Sequence, residues 1–244
     1  GIMIDLSPMQ GVRVDPGART ARVQAGVLLN KLDHEAQRFG LVVTTGTTSH
    51  TGLAGLTLGG GLGRLARLFG LTCDNLLSAD IVTADGQYRH LSADENTDLF
   101  WGIRGGGGNF GIVTSFEYQL HPFGPDILGG GRIFPKSKMR DVLNFYSEFS
   151  LTAPDELNVG AVTIIPPNGK GMIVVGIGYV GDDAEGARVI RPWQEFGKPA
   201  VDTIGKENYV HVQRANDRTL PFGRNYYMKA GFMRKVDPDF IDFM

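Results

Sequence analysis

The alternation of apolar and polar residues in the first half of the chain predicts short strands and helices joined by glycine-rich loops. Residues 112–120 alternate as a half-buried strand does. Leu28, Leu32 and Ala36 recur at helical spacing, and Gly40 follows where a C-cap glycine ends a helix. The strands predicted in this half are 2–6, 11–14, 19–25, 41–45, 81–83, 87–91 and 112–120, and the helices are 27–38, 62–69 and 94–103.

The run His121-Pro122-Phe123-Gly124-Pro125 marks the best domain boundary in the chain. Longer elements with fewer glycine clusters follow it, and helix 136–150 carries an apolar stripe. The strands predicted there are 127–134, 157–165, 172–179 and 226–234, and the helices are 136–150 and 183–196. The pattern therefore predicts an α+β fold with one domain over residues 1–124 and a second, built on one sheet, over residues 125–244.

Both ends of the sequence read as elements that have been cut. Residues 1–6 read as a strand already under way, without the charged and apolar regions of a signal peptide, which favours the cytoplasm. Residues 237–244 read as the start of a helix. We therefore expect an internal piece of a longer protein.

Composition and charge exclude several classes of function. Lysine and arginine total 24 and aspartate and glutamate 26, and the net charge of −2 does not favour binding to nucleic acid or to an anionic membrane. The single cysteine, Cys73, excludes an intrachain disulfide and a cysteine-based zinc site. The five histidines show no metal-binding spacing, so we expect no metal.

Glycine is unusually frequent, at 35 of 244 residues. Seven glycines lie between Gly46 and Gly63, and six between Gly102 and Gly111. Main-chain N–H groups without side chains in the way form a nest for an anion, and residues 41–63 contain no acidic residue. The first cluster therefore predicts a pyrophosphate site that runs directly into helix 62–69. The alternative is a glycine-rich turn packed against another stretch of backbone.

Two stretches match the dinucleotide pattern GxGxxG, but their contexts differ from a nicotinamide site. Residues 106–111 follow a predicted helix and precede a strand, which is the reverse of the required order. Residues 176–181 lie between a strand and a helix, with Asp202 at a suitable distance. Asp182 and Asp183 stand in the first turn of that helix, where they would repel a pyrophosphate and serve better as a cap.

Five motifs occur in a fixed order along the chain. They are Val23-Gln-Ala-Gly26, Thr51-Gly-Leu-Ala-Gly-Leu-Thr-Leu-Gly-Gly-Gly-Leu-Gly63, Phe69-Gly-Leu-Thr-Cys-Asp-Asn-Leu77, Ala84-Asp-Gly86 and Asp98-Leu-Phe-Trp-Gly-Ile-Arg-Gly-Gly-Gly-Gly-Asn-Phe-Gly-Ile-Val-Thr114. Together they resemble the berberine-bridge-enzyme-like branch of the FAD-linked oxidases with a PCMH-type flavin domain. The resemblance implies that residues 1–124 are the second α/β subdomain of that FAD-binding domain. It also implies that residues 125–244 are part of a substrate domain whose antiparallel sheet covers the flavin ring.

The resemblance also implies which residues bind FAD through main-chain and hydroxyl groups. These are Gly46, Thr47, Thr48, Ser49, Thr51, Gly52, Gly55, Gly59, Gly60, Gly61, Gly63, Gly111, Ile112 and Val113. Some relatives attach the flavin through a cysteine at the position of Thr48, and a threonine hydroxyl cannot form that thioether. Thr51 matches a position where valine admits dioxygen, and threonine is nearly isosteric with valine. Tyr227 and Lys229 share one face of the predicted strand 226–234 and are the candidate substrate residues.

The function implied is an FAD-dependent oxidation in the intact protein. A small-molecule alcohol or C–H substrate would give a hydride to flavin N5, and dioxygen or another acceptor would reoxidise the flavin. The catalytic base and the oligomeric state are not identified. One alternative is a catalytically incomplete flavin-binding or scaffold fragment, and another is a nicotinamide dehydrogenase that uses Gly176–Gly181.

Overall fold

The computed structural model describes residues 1–243, which form two compact units. The first unit consists of Gly1–Pro125 and Asn208–Pro221, and the second consists of Asp126–Glu207 and the chain from Phe222 on. The sequence placed residues 208–221 in the second domain, whereas the structure packs them with the first unit. The first unit is therefore built from two separate stretches of chain.

The strands and helices are numbered here in chain order. The strands are β1 (Val12–Asp15), β2 (Thr20–Gln24), β3 (Leu41–Val42), β4 (Leu76–Val82), β5 (Tyr88–Ser92), β6 (Ile112–Gln119), β7 (His121–Pro122), β8 (Asp126–Pro135), β9 (Leu157–Ile164), β10 (Met172–Tyr179), β11 (Val201–Asp202) and β12 (Gly205–Asn208). The α-helices are α1 (Leu29–Gln37), α2 (Leu53–Leu58), α3 (Ala66–Phe69), α4 (Thr97–Ile103), α5 (Met139–Ser150), α6 (Asp183–Glu195), α7 (Tyr209–Gln213) and α8 (Pro238–Phe243). Short 3-10 helices cover Thr72–Asn75, Gly107–Phe110 and Lys136–Lys138.

The first unit is organised around a five-stranded antiparallel sheet with the strand order β1-β2-β6-β4-β5. Phe116 on β6 pairs with Val23 on β2 and with Ala79 on β4, and all three are buried. Helix α1 adds its apolar face to the same core. Strands β3 and β7 form a separate two-stranded ladder beside the stretch that carries the first glycine cluster.

The second unit has an antiparallel sheet with the order β11-β8-β10-β9, and β12 also pairs with β8. Alternate residues of β10, including Ile173, Val175 and Ile177, are buried in one core with residues of α5 and α6. Trp193 is fully buried there, and its ring meets the edge of Phe145 with centroids 4.7 Å apart. The predicted α+β fold with antiparallel sheets is confirmed.

Some predicted elements are absent or shorter. Residues 226–234 form no strand, and Tyr227 is 85% exposed, so alternation alone did not supply a partner strand or a buried face. Residues 2–6 are likewise irregular and mostly exposed. The predicted helix 62–69 is reduced to the four residues of α3, because the chain before Ala66 is drawn into close backbone contacts instead.

Membrane-spanning helices and metal-binding clusters are both lacking among residues 1–243. Within residues 1–243, no helix combines the length and the apolar character that crossing a bilayer requires. The same residues contain no group of three His, Cys, Asp or Glu side chains that could hold a metal ion.

Candidate functional site

Residues 44–52, called the threonine loop below, connect β3 to α2 and have an inner and an outer side. Thr44, Thr45 and Ser49 are buried, whereas Thr47 and Thr51 are exposed. No regular helix or strand covers these residues. The shape of the loop must therefore come from side-chain hydrogen bonds and from its neighbours.

The inner side of the threonine loop rests on a buried polar cluster. Thr45 Oγ1 donates a hydrogen bond to Asp33 Oδ1 at 3.0 Å, and Gln213 Nε2 donates to Thr45 Oγ1 at 2.7 Å. Asp33 is only 3% exposed, and burial raises its pKa to about 7 although the bonds from Thr45 and Gln213 lower it. Asp33 can therefore carry a proton near neutral pH.

A second set of contacts holds the other end of the threonine loop. The main-chain N–H and the hydroxyl of Ser49 donate to the two oxygens of Asp217, at 2.8 and 2.7 Å. His50 Nε2 lies 3.0 Å from the carbonyl oxygen of Leu220. Asp217 and Leu220 belong to the stretch 208–221 that returns to the first unit.

The outer side of the threonine loop and of α2 is open. Ideal Cβ atoms at Gly52 and Gly55 would meet nothing within 4 Å. The N–H groups of Thr47 and Thr48 donate no hydrogen bond within residues 1–243. Free N–H donors, exposed hydroxyls and the absence of acidic side chains over residues 41–63 together suit a large, electron-rich ligand that accepts hydrogen bonds.

The glycines from Gly59 to Gly63 divide into open and closed positions. Gly59 is exposed, whereas Gly60 and Gly61 are buried with φ of +104° and +84°. A Cβ at Gly61 would collide with Thr72, and one at Gly63 would collide with the carbonyl oxygen of Thr45. Glycine is therefore required by close backbone packing at Gly63, by the neighbouring Thr72 side chain and the positive φ at Gly61, and by the positive φ at Gly60.

The predicted helix N-terminus directly after Gly63 is not present. Helix α3 begins at Ala66 and has four residues, so its few N–H groups do not continue the glycine run as the sequence predicted. Leu62, just before Gly63, is 73% exposed and outside any helix. The assignment of Gly60, Gly61 and Gly63 to FAD thus remains a prediction that rests on main-chain contacts alone.

The third predicted contact lies at the start of β6. A Cβ at Gly111 would collide with the carbonyl oxygen of Val82, so packing also requires glycine here. The side chain of Val113 is buried in the core, whereas Ile112 is partly exposed. Only main-chain atoms and the Ile112 side chain are open to a ligand at this point.

Tyr227 and Lys229 lie together in the second unit, but not for the predicted reason. The strand 226–234 that placed them on one face is absent. Lys229 Nζ instead stands 5.8 Å from the centroid of the Tyr227 ring, a distance typical of a cation–π contact. Their assignment to substrate binding stays a prediction.

The geometry of Gly176–Gly181 does not form a nicotinamide site. Gly176 and Gly178 lie within β10, where Gly176 pairs with Gly131 and Gly160, so they form no strand-to-helix turn. The carboxylate of Asp182 accepts from the N–H groups of Ala184 and Glu185, each at 3.0 Å. The N-terminus of α6 is therefore capped by its own side chain.

Comparison with known proteins decides which cofactor this architecture holds. Residues 1–92 match the family model described as FAD binding domain. The whole chain aligns with an FAD-linked oxidoreductase of Dictyostelium discoideum at 36% identity, covering 53% of that protein. Residues 1–92 belong to the FAD binding domain family, and the chain as a whole is homologous to FAD-linked oxidoreductases. Its predicted cofactor, FAD, its PCMH-type flavin domain and its membership of an oxidoreductase family are thereby confirmed.

Solved structures agree with this family assignment. The crystal structure of 6-hydroxy-D-nicotine oxidase from Arthrobacter nicotinovorans superimposes with a TM-score of 0.85 at 32% identity, over 91% of this chain and 49% of that one. The berberine-bridge-enzyme-like protein 1 of Physcomitrella patens shares the fold, with a TM-score of 0.76 at 24% identity over 90% of this chain and 47% of that one. The chain spans about half the length of the curated relatives it matches.

The residues present fit FAD on the open side of the first unit. FAD accepts hydrogen bonds along its ring, ribityl chain and pyrophosphate, and the threonine loop offers unpaired N–H groups and hydroxyls in a stretch, residues 41–63, that contains no acidic residue of its own. Cys73, by contrast, is buried beside Asp74, and burial raises the pKa of its thiol, which disfavours a redox role.

Proposed function

We propose that the intact protein is an FAD-dependent oxidase of a small-molecule alcohol or C–H substrate. When bound, FAD supplies the electron chemistry by accepting a hydride at N5 and passing the electrons to an acceptor. The single observation that carries the proposal is the open, acid-free outer side of the threonine loop in a chain homologous to FAD-linked oxidoreductases. The chain's own residues bind and orient the cofactor.

Four residue assignments are part of this proposal. The N–H groups of Thr47 and Thr48 hold the flavin portion, and main-chain groups near Gly111 meet the adenine end. The hydroxyl of Thr48 cannot form a thioether, so the cofactor has no covalent link at this loop. Thr51 is exposed and nearly isosteric with valine, which supports dioxygen as the acceptor.

The test is a comparison of the full-length protein with two glycine variants. Gly52→Val fills open space on the outer side, where the new side chain meets nothing of the chain itself. We expect wild-type protein to carry FAD, and Gly52→Val to raise the Kd of FAD at least about tenfold with an unchanged unfolding transition. Gly176→Val is the matched control, because a Cβ there also meets nothing within 4 Å and the change would impair cofactor binding only in a nicotinamide enzyme.

The outcomes separate the alternatives. Full-length wild-type protein without flavin would contradict the proposal and favour a scaffold role. Equal FAD affinity in wild type and Gly52→Val would refute the placement of the cofactor. The reduced flavin should reoxidise rapidly in air-saturated buffer during stopped-flow mixing, and very slow reoxidation would rule out dioxygen as the acceptor.

A further inference from the structure

A part of the chain that is distant in sequence forms hydrogen bonds with the threonine loop on one side. Residues 209–220, called the clamp segment, contain α7 and the turns that follow it. Gln213 contacts Thr45 and Gly46, and Asp217 contacts Ser49, although 167 or 168 positions separate these partners. These two sets of hydrogen bonds lie on either side of Thr47 and Thr48 in the sequence. The N–H groups of Thr47 and Thr48 have no partner within the described residues.

Gln213 fixes the direction of one peptide unit in the threonine loop. Its Nε2 donates to the carbonyl oxygen of Gly46 at 3.3 Å, from the buried side. The carbonyl of Gly46 and the N–H of Thr47 belong to one trans peptide and point in opposite directions. Holding the carbonyl inward therefore turns the Thr47 N–H outward, toward the open side.

Asp217 holds the threonine loop at Ser49, on the far side of Thr47 and Thr48. Its two carboxylate oxygens accept one bond each from the N–H and the hydroxyl of Ser49, at 2.8 and 2.7 Å. Hydrogen bonds to a charged acceptor are the stronger kind. An asparagine has one acceptor oxygen in place of two and no charge, so the Ser49 N–H and hydroxyl could not both keep their present charged acceptors.

We propose that Gln213 and Asp217 are positioning residues that pre-shape the threonine loop for FAD. The inference rests on the proposed function, since it gives the loop the role of holding the cofactor. A loop without regular secondary structure loses conformational freedom when a ligand orders it, and that loss weakens binding. The clamp segment orders the loop beforehand, so FAD binds a surface whose N–H groups already face outward.

The experiment uses the full-length protein with Gln213→Met and Asp217→Asn. Methionine keeps the buried volume of Gln213 but donates no hydrogen bond. Gln87→Met and Asp94→Asn are the matched controls, because both residues are exposed in the first unit away from the loop. Hydrogen exchange of residues 44–50 in the FAD-free protein and the Kd of FAD are measured for each.

We expect faster exchange confined to residues 44–50 and a Kd raised about tenfold or more in each clamp variant, which corresponds to about 1.4 kcal/mol. The controls should match wild type in both measurements. Ser49→Ala removes one of the two bonds to Asp217 and is the milder test if Asp217→Asn does not fold. The effects of Ser49→Ala and Asp217→Asn should add less than fully in the double variant, because both alter the bond between the Ser49 hydroxyl and residue 217.

The outcomes of this test are separate from those of the proposed function. If wild type binds FAD and the folded variants bind it equally well, the clamp is refuted and the function stands. If wild type binds no FAD, the function fails, and exchange at residues 44–50 still decides whether the clamp orders the loop. Unchanged exchange in both clamp variants would overturn the inference.

Discussion

The buried carboxyl of Asp33 makes the stability of the first unit depend on pH. Its folded pKa of about 7 lies above the ordinary value of 3.8, because burial penalises the charged form. At pH values between 3.8 and about 7, Asp33 therefore holds a proton in the folded protein that it has released in the unfolded chain. The free energy of unfolding falls as pH rises through this window, by about 4 kcal/mol in total from this group, and levels off above it.

Asp33→Asn should remove this contribution while keeping a polar partner for Thr45. The expected result is a flatter pH dependence of the free energy of unfolding between about pH 5 and pH 8 than in wild type. Denaturant unfolding of the full-length protein at several pH values measures it. Asp94→Asn, an exposed carboxylate in the same unit, should keep the wild-type slope, and an equal slope in Asp33→Asn would contradict the assignment.

At the scale of single residues, the sequence predicted a cofactor-binding stretch but not the side chains that support it. Gly52 and Gly55 lie open as a ligand site requires, whereas Gly61 and Gly63 are explained by contacts that only the folded chain reveals. The burial of Asp33 could have been predicted from the sequence, because Asp33 stands beside Leu32 on the apolar face of α1. The roles of Gln213 and Asp217 could not have been predicted from the sequence, since their partners lie more than 160 positions away.

At the scale of elements, Arg132 ties β8 to the end of α6. The side chain is 2% exposed, and its guanidinium donates to the carbonyl oxygens of Trp193 and Phe196, the latter at 2.9 Å. Its Nε also donates to Asp202 on β11 at 2.9 Å. The last carbonyls of a helix lack intrahelical partners and carry partial negative charge, so this buried arginine caps α6 from another element.

Arg132→Met should destabilise the second unit by about 3 kcal/mol, because it leaves buried carbonyls without donors. Arg132→Lys should recover only part of the loss, since an ammonium group lacks the planar fork that reaches several acceptors. Thermal or denaturant unfolding of the full-length protein measures both. Asp202→Asn should cost less than about 1 kcal/mol because the Asp202 side chain is 40% exposed, and a larger loss there than in Arg132→Met would refute the cap.

Element prediction succeeded where a periodic pattern coincided with a buried face. Helix 183–196 and strand 172–179 match α6 and β10 closely, because their apolar repeats face one core. Strand 226–234 failed because a strand also needs a partner in the sheet, and alternation does not provide one. Helix α2 was hidden within the glycine cluster, where helix propensity is low and tertiary contacts decide the outcome.

At the scale of the whole molecule, the first unit is discontinuous in sequence. The N–H of Tyr209 donates to the carbonyl oxygen of Pro125 at 2.8 Å, so the two stretches of the unit meet where the chain leaves and returns. Tyr209 is fully buried, with its ring at the edge of Phe123 and centroids 5.8 Å apart. A boundary drawn at residue 124 therefore leaves out part of the core and both clamp residues.

This arrangement predicts how isolated pieces of the chain behave. Residues 1–125 joined to 208–221 by a short Gly-Ser linker should unfold cooperatively in denaturant, as monitored by far-UV circular dichroism. Residues 1–125 alone should unfold at a lower denaturant concentration, because Tyr209 and Gln213 no longer fill their buried positions. Equal midpoints for the two chains would show that the returning stretch adds nothing to the unit.

The sequence separation between the threonine loop and Asp217 also determines when the loop can gain its hydrogen-bond partners during protein synthesis. Ser49 is translated 168 residues before its carboxylate partner. At about 5–20 residues per second, roughly 10–30 s pass before the ribosome adds that partner. During this interval the nascent loop has no support from Gln213 or Asp217, so tight capture of FAD belongs to the late stage of translation or follows it.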